Sequence, residues 1–174
     1  INATTPFDMF LRNLEVAAED FHPIRDATSK YYRYRIQPGP VQNPLALKFA
    51  WLFPTALDFP AMQQAAQHFV GKHDFTSFES AGSDRKTSVR HITELTLSSS
   101  FQHQATTIQV DIRADGFLYK MVRNIVGSLV EVGAGKHTSD WIGEVLTALD
   151  RRQAGMTAPA QGLYLMHVKY AADE

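Results

Sequence analysis

Seven apolar residues, Leu118, Met121, Val122, Ile125, Val126, Leu129 and Val132, recur at helical spacing in one stretch of the chain. At 3.6 residues per turn they form one stripe, which predicts an amphipathic helix over 117–132 that must lie on a second apolar layer. Lys120, Arg123, Asn124, Gly127 and Glu131 take its opposite face, where Gly127 leaves open space beside Arg123. The segments suited to the second layer alternate with a period of two. Residues 30–36 put Lys30, Tyr32, Tyr34 and Ile36 on one face and Tyr31, Arg33 and Arg35 on the other. Residues 89–98 and 105–113 are rich in Val, Ile, Leu and Thr, which suits strands. In 163–170, Tyr164, Met166, Val168 and Tyr170 alternate with Leu163, Leu165, His167 and Lys169, placing Leu163 off the layer of Tyr164 and Met166.

A further helix is predicted after Asp58, an N-cap residue with Pro60 tolerated in the first turn, and its stripe of Met62, Ala65, Ala66, Phe69 and Val70 ends near Gly71. Another runs from Ser139 or Asp140 through Leu149. Residues 12–17 read as a short strand, 46–53 as an extended run after a Pro-Gly turn, and 151–162 as a loop. The order of elements predicts an α+β fold of the RNP-like or ferredoxin-like split βαβ type, with a mixed or antiparallel sheet and helices on one face.

Charge and composition then narrow the function. Over 174 residues, 17 Lys and Arg against 18 Asp and Glu give a net charge of −1, so any attraction for a polyanion must be local. Two basic zones answer that need: Arg25, Lys30, Arg33 and Arg35, and Arg113, Lys120, Arg123 and Lys136. The absence of Cys removes disulfides, thiol nucleophiles and Cys-based zinc sites together. No apolar run is long enough for a membrane span. The seven His have no ligand-pair spacing, so a metal site is not expected. Gly133-Ala134-Gly135-Lys136 lacks the spacing of a phosphate loop and reads as a helix C-cap. His73 to Phe78 mixes titratable groups with two aromatics and reads as an anchor packing a loop onto the core.

Several segments taken in order resemble the tRNA pseudouridine synthase A family: Asn2-Ala3 to Pro6, Asp20-Phe21-His22, Asp26-Ala27-Thr28 to Tyr34, Asp74 to Phe78, Asp111-Ile112 to Phe117, Glu131-Val132-Gly133, and Gly162 to Leu165. The run Met121-Val122-Arg123-Asn124-Ile125-Val126-Gly127 is the most specific. The resemblance implies isomerisation of uridine to pseudouridine at positions 38–40 of the tRNA anticodon stem-loop, without metal or organic cofactor, in a cytoplasmic enzyme that is usually a homodimer. It also implies that Tyr32 is the active-site tyrosine, Arg123 the partner of the catalytic aspartate, and Leu163 the apolar residue beside it. A cleft holding an unstacked nucleotide needs cations along its walls. Arg25, Lys30, Arg33, Arg35, Lys72, Arg85, Lys86, Arg90 and Lys120 are the local supply.

The family's aspartate lies in an Arg-Thr-Asp-Ala-Gly-Val-His type of motif upstream of the Asn2-Ala3 match, and these residues contain no such motif. Asp26, Asp74, Asp111 and Asp115 match other parts of the family pattern. The expectation is a C-terminal portion, with 1–24 the end of a preceding domain or a linker, 25–174 the C-terminal synthase domain, and no activity from this chain alone. The rival expectation is a non-catalytic RNA-binding module that stacks bases on open-face aromatics, for which Tyr31 is the candidate.

Overall fold

The computed structural model describes residues 1–40, 43–82, 86–102 and 105–171. Its centre is β1 (Ala27–Pro38), where the predicted alternation buries Tyr34 and Ile36 against the helices. One edge of β1 pairs antiparallel with β5 (Ala105–Ala114), in a register running from Lys30 opposite Ala114 to Ile36 opposite Ile108. Along its other edge lie β6 (Leu163–Tyr170), antiparallel, and β2 (Trp51–Phe53), parallel. Beyond β5 come β4 (Val89–Gln102) and β3 (Gly71–Asp74), both antiparallel. The result is the expected mixed sheet, of six strands in the order β2-β1-β5-β4-β3 with β6 beside β1.

Three helices, α1 (Phe59–Ala66), α2 (Met121–Gly133) and α3 (Trp141–Ala148), cover one face of this sheet. Ile125, Val126 and Leu129 of α2 are fully buried in one cluster with Ile108, Val110 and Ile112 of β5. Each such side chain contributes about 2 kcal/mol through the area it removes from water. Asp58 caps α1 by accepting the Ala61 amide at 3.0 Å, as its position before Pro60 predicts. Phe75 and Phe78 are fully buried, so the aromatic anchor behaves as expected. Just past α2, Gly135 closes the helix: at φ 74° it donates its amide to the Val132 carbonyl.

Several local expectations fail for identifiable reasons. Residues 12–17 form no strand; they are exposed, and no strand among the described residues pairs with them. The extended run at 46–53 shrinks to β2, because Pro44–Ala46 close a 3-10 turn capped by Asn43. The α2 helix starts at Met121 rather than 117, since Lys120 sits in the left-handed region at φ 59° and a helix cannot pass through it. Val70 and Leu149, placed in apolar stripes, are exposed just past the ends of their helical segments.

Strand β6 departs most instructively. Tyr34 faces Leu163 and Tyr32 faces Leu165, but Tyr31 already faces His167, so Met166 is the extra residue of a bulge. The bulge resets the alternation. Leu163 thus shares the face of Tyr32 and Tyr34 and packs on the core, whereas simple alternation puts it off that layer.

Candidate active site

Tyr32, Arg123 and Leu163 reach one place from three elements: mid-strand on β1, the first turn of α2, and the start of β6. They line one small cavity of about 80 Å³ together with Phe117, Leu118 and Lys120. Tyr32 is half-buried and meets Phe117 edge to face, ring centres 5.1 Å apart at 90°. Burial pushes its hydroxyl pKa up, so at neutral pH it is a phenol and not a phenolate. Tyr34, one turn of the strand deeper, is fully buried and donates to the Pro159 carbonyl at 2.6 Å.

Arg123 is held by its own backbone neighbourhood. Its Nε donates to the carbonyl of Ala158 at 2.6 Å, and the Ala158 amide donates back to the Arg123 carbonyl at 3.1 Å. Spending Nε this way leaves both terminal nitrogens for a ligand, and Arg123 forms no ion pair among the described residues. No carboxylate among the described residues lines the cavity with it.

The carbonyl of Ala158 is placed by a loop, 150–162, that lies directly on α2. Asn124, fully buried, is its anchor. The Asn124 amide donates to the Phe78 carbonyl at 2.7 Å, and its Oδ1 accepts from Thr157 at 2.6 Å and from Arg151 at 3.1 Å. Ser128 accepts the Gly155 amide at 3.0 Å, and Glu131 the Met156 amide at 3.0 Å. The face of α2 expected to meet solvent is therefore largely covered, with Asn124, Gly127 and Ser128 buried, and the open space expected beside Gly127 is filled by the Met156 carbonyl. The sequence reading of 151–162 as a loop holds, but it did not show that this loop docks on α2 or that Asn124 anchors it. A signal existed: a polar side chain, a glycine and a hydroxyl residue, Asn124, Gly127 and Ser128, share one helical face and leave room there for a second backbone.

The proposed cations do not act as one patch. Lys30 and Arg90 line a second cavity, which shares Phe117 with the first, and Lys120 borders the first with its ammonium 5.0 Å from the Tyr119 ring centre. Lys72 and Lys86 are exposed, and Arg25 is engaged by Asp26 at 2.7 Å. Arg33 and Arg35 alternate with Tyr32 and Tyr34 and so stand on the opposite side of the sheet. There Arg33 pairs with Asp111 at 2.7 Å and Arg35 lies over the Tyr164 ring at 5.0 Å. Arg85 lies outside the described residues.

That opposite face also accounts for Tyr31. Its hydroxyl donates to Asp111 at 2.8 Å and Arg113 sits 4.1 Å over its ring, so the aromatic surface is occupied. Burial alone would push the Asp111 carboxyl up, but hydrogen bonds from Arg33, Tyr31 and Gln109 hold it below the ordinary carboxylate range.

A half-buried phenol, a guanidinium with free terminal nitrogens and an apolar wall suit a planar polar ring held beside an incoming carboxylate. Known proteins with this sequence pattern agree on the class. The family model for tRNA pseudouridine synthase matches residues 65–171, which contain Arg123 and Leu163. The tRNA pseudouridine synthase A of Syntrophotalea carbinolica is 41% identical over 174 residues, all of this chain and 68% of that protein. Those of Pelobacter propionicus and Acetivibrio thermocellus are 42% and 41% identical over 97% and 98% of this chain, again covering 68% of each relative. The chain belongs to the tRNA pseudouridine synthase A family.

Proposed function

We propose that this chain supplies the Tyr32, Arg123 and Leu163 wall of a pseudouridine synthase site acting on uridines 38–40 of a tRNA anticodon stem-loop. The observation that carries this reading is the meeting of the three side chains at one cavity, although Tyr32 lies on β1, Arg123 on α2 and Leu163 on β6. The isomerisation breaks the bond from the ribose C1′ to N1 of uracil, forms one from C1′ to C5, and moves a proton from C5 to solvent while N1 gains one. A carboxylate starts it as nucleophile or base, and must stay ionised in a partly dry site. Arg123 serves that need through the terminal nitrogens that Ala158 leaves free. Tyr32 remains protonated, so it stacks on or donates to the ring; removing the C5 proton would first require its own ionisation. Leu163 excludes water from the base edge.

The carboxylate comes from outside these 174 residues, within the segment that bears the aspartate motif in the family. The proposal starts the synthase domain at 25, a reading supported by β1 beginning at Ala27 and by the lack of helix or strand in residues 1–24. Exposed Phe7, Phe10, Leu14 and Val16 favour self-association of this chain, as surface that packs on an absent segment would; the homodimer of the whole enzyme is proposed from the family resemblance. No helix among the described residues is long and apolar enough to cross a membrane. The cytoplasmic location is part of this proposal and follows from the tRNA substrate it assigns.

The test uses unmodified tRNA with pseudouridine detected by mass spectrometry. This chain alone leaves uridine unconverted; joined to an aspartate-bearing N-terminal segment of a relative it converts uridine, and Arg123→Met in the joined protein abolishes conversion. Turnover by the chain alone, or an Arg123→Met enzyme of full activity, overturns the reading.

A further inference from the structure

Next to the Tyr32 cavity is a larger one of about 280 Å³, lined by Ile24, Ala27, Lys30, Arg90, Asp115 and Phe117 among others. Phe117 lines both cavities, so its ring is their common wall. The Lys30 ammonium makes neither an ion pair nor a hydrogen bond among the described residues. Arg90 spends only Nη1, on the carbonyls of Thr87 and Val89 at 2.9 and 2.6 Å. Asp115 shares the cavity but forms an ion pair with neither cation. Its place is set by the strand partner opposite, for Oδ1 accepts the His91 amide at 3.0 Å and the Asp115 amide donates to the His91 carbonyl at 3.2 Å. Oδ2 has no partner among the described residues.

Two uncompensated cations on the walls of one concavity attract an anion more strongly than the same charges spread over a convex surface. The fixed carboxylate decides which anion. A small multiply charged ion would sit against Asp115 and be repelled. A phosphodiester brings a single charge for two cations, and its ribose brings a 2′-hydroxyl proton that a carboxylate accepts. Ile24, Ala27 and Phe117 offer the sugar an apolar flank. The volume is below that of cavities holding drug-sized ligands, roughly 300 Å³ and upward, which suits one sugar-phosphate unit.

We propose that this cavity is a ribose-phosphate subsite for the nucleotide adjoining the one in the Tyr32 cavity, with Lys30 and Arg90 on the phosphate and Asp115 on the 2′-hydroxyl. The proposal rests on the functional reading above and adds to it a neighbour held by its backbone, with Phe117 between the two nucleotides. Asp115 thereby becomes a residue that distinguishes RNA from DNA at one position.

The experiment measures binding of this chain to an anticodon stem-loop oligoribonucleotide by fluorescence anisotropy across a salt series. Single 2′-deoxy substitutions are placed on either side of the target uridine. Lys30→Gln should weaken binding about tenfold at low salt and lower the salt slope by roughly one, with Lys30→Arg restoring both. One of the two deoxy substitutions should weaken binding several-fold in the unsubstituted chain, and Asp115→Ala should erase that difference. Circular dichroism melting of each variant separates binding loss from unfolding, and Arg90→Gln gives a second test of the phosphate contact. An unchanged salt slope in both Lys30→Gln and Arg90→Gln, or a deoxy penalty that persists in Asp115→Ala, overturns the subsite while leaving the functional reading in place. A folded chain that binds no stem-loop at all overturns the subsite, while the functional reading stands or falls with turnover by the joined protein.

Discussion

A β-carbon added to Gly127 would lie 1.6 Å from the carbonyl oxygen of Met156, closer than any non-bonded contact permits. The backbone of the 150–162 loop therefore rests directly on α2, one turn after Arg123. The same loop presents the Ala158 carbonyl to the Arg123 Nε, so a packing requirement at Gly127 and the aim of a guanidinium are coupled.

Gly127→Ala should destabilise the chain by about 3 kcal/mol, because the obstacle is backbone and cannot rotate away. Urea unfolding followed by circular dichroism measures it. A loss below about 0.5 kcal/mol would show that the loop lifts off without cost. Gly155→Ala should act in the same direction, since its β-carbon would meet Ser128 Cα at 2.8 Å from the other side of the contact.

Asn124→Ala removes the partner of Thr157, Arg151 and the Phe78 carbonyl at once. Every buried side-chain nitrogen and oxygen among the described residues now has a partner, and this variant would leave buried groups without one. The expected loss is about 2 to 3 kcal/mol. Hydrogen exchange should show faster amide exchange at Ala158 than in the unsubstituted chain, since that amide is bonded only to Arg123; equal protection would mean that Asn124 does not anchor the loop.

Stability should fall in acid partly through Asp111. Its folded pKa is depressed, so the stabilisation is complete above the unfolded value of about 3.9 and is lost as pH falls through the folded value. Asp111→Asn should lower stability at pH 6 and flatten the decline below about pH 4. A decline as steep as that of the parent would assign the acid sensitivity to other carboxylates.

Tyr32 titrates in the opposite sense. Burial raises its folded pKa above the unfolded value of about 10, so the stability linked to its proton is complete below that pH and is lost as pH rises through the folded value. Tyr32→Phe should reduce the alkaline loss of stability and remove one late-titrating phenol from the ultraviolet absorbance titration. If the absorbance lost is that of a group ionising at or below the ordinary tyrosine value, Tyr32 is not protected in the way its burial implies.

Periodicity alone determined the large elements of this protein. Helix α2, the strands β1, β4 and β5, and the Asp58 cap follow from side-chain spacing and local hydrogen bonding, which depend on neighbours in the chain. The segments in order, with the run from Met121 to Gly127 the most specific, carried the resemblance to the family and, through it, Arg123. What the chain cannot state locally is which second surface covers a polar helical face, or where a strand gains a residue. The bulge at Met166 turned Leu163 toward Tyr32, and the 150–162 loop buried Asn124 and filled the space at Gly127. Likewise Lys30 and Arg33 look alike as basic residues of one strand. Asp111, reached across the β1–β5 register, neutralises Arg33 on one face, while Lys30 faces a cavity on the other without an ion-pair partner. Such outcomes depend on contacts between residues far apart in the chain, 33 positions for Asn124 and Thr157 and 78 for Arg33 and Asp111, so only the tertiary structure decides them.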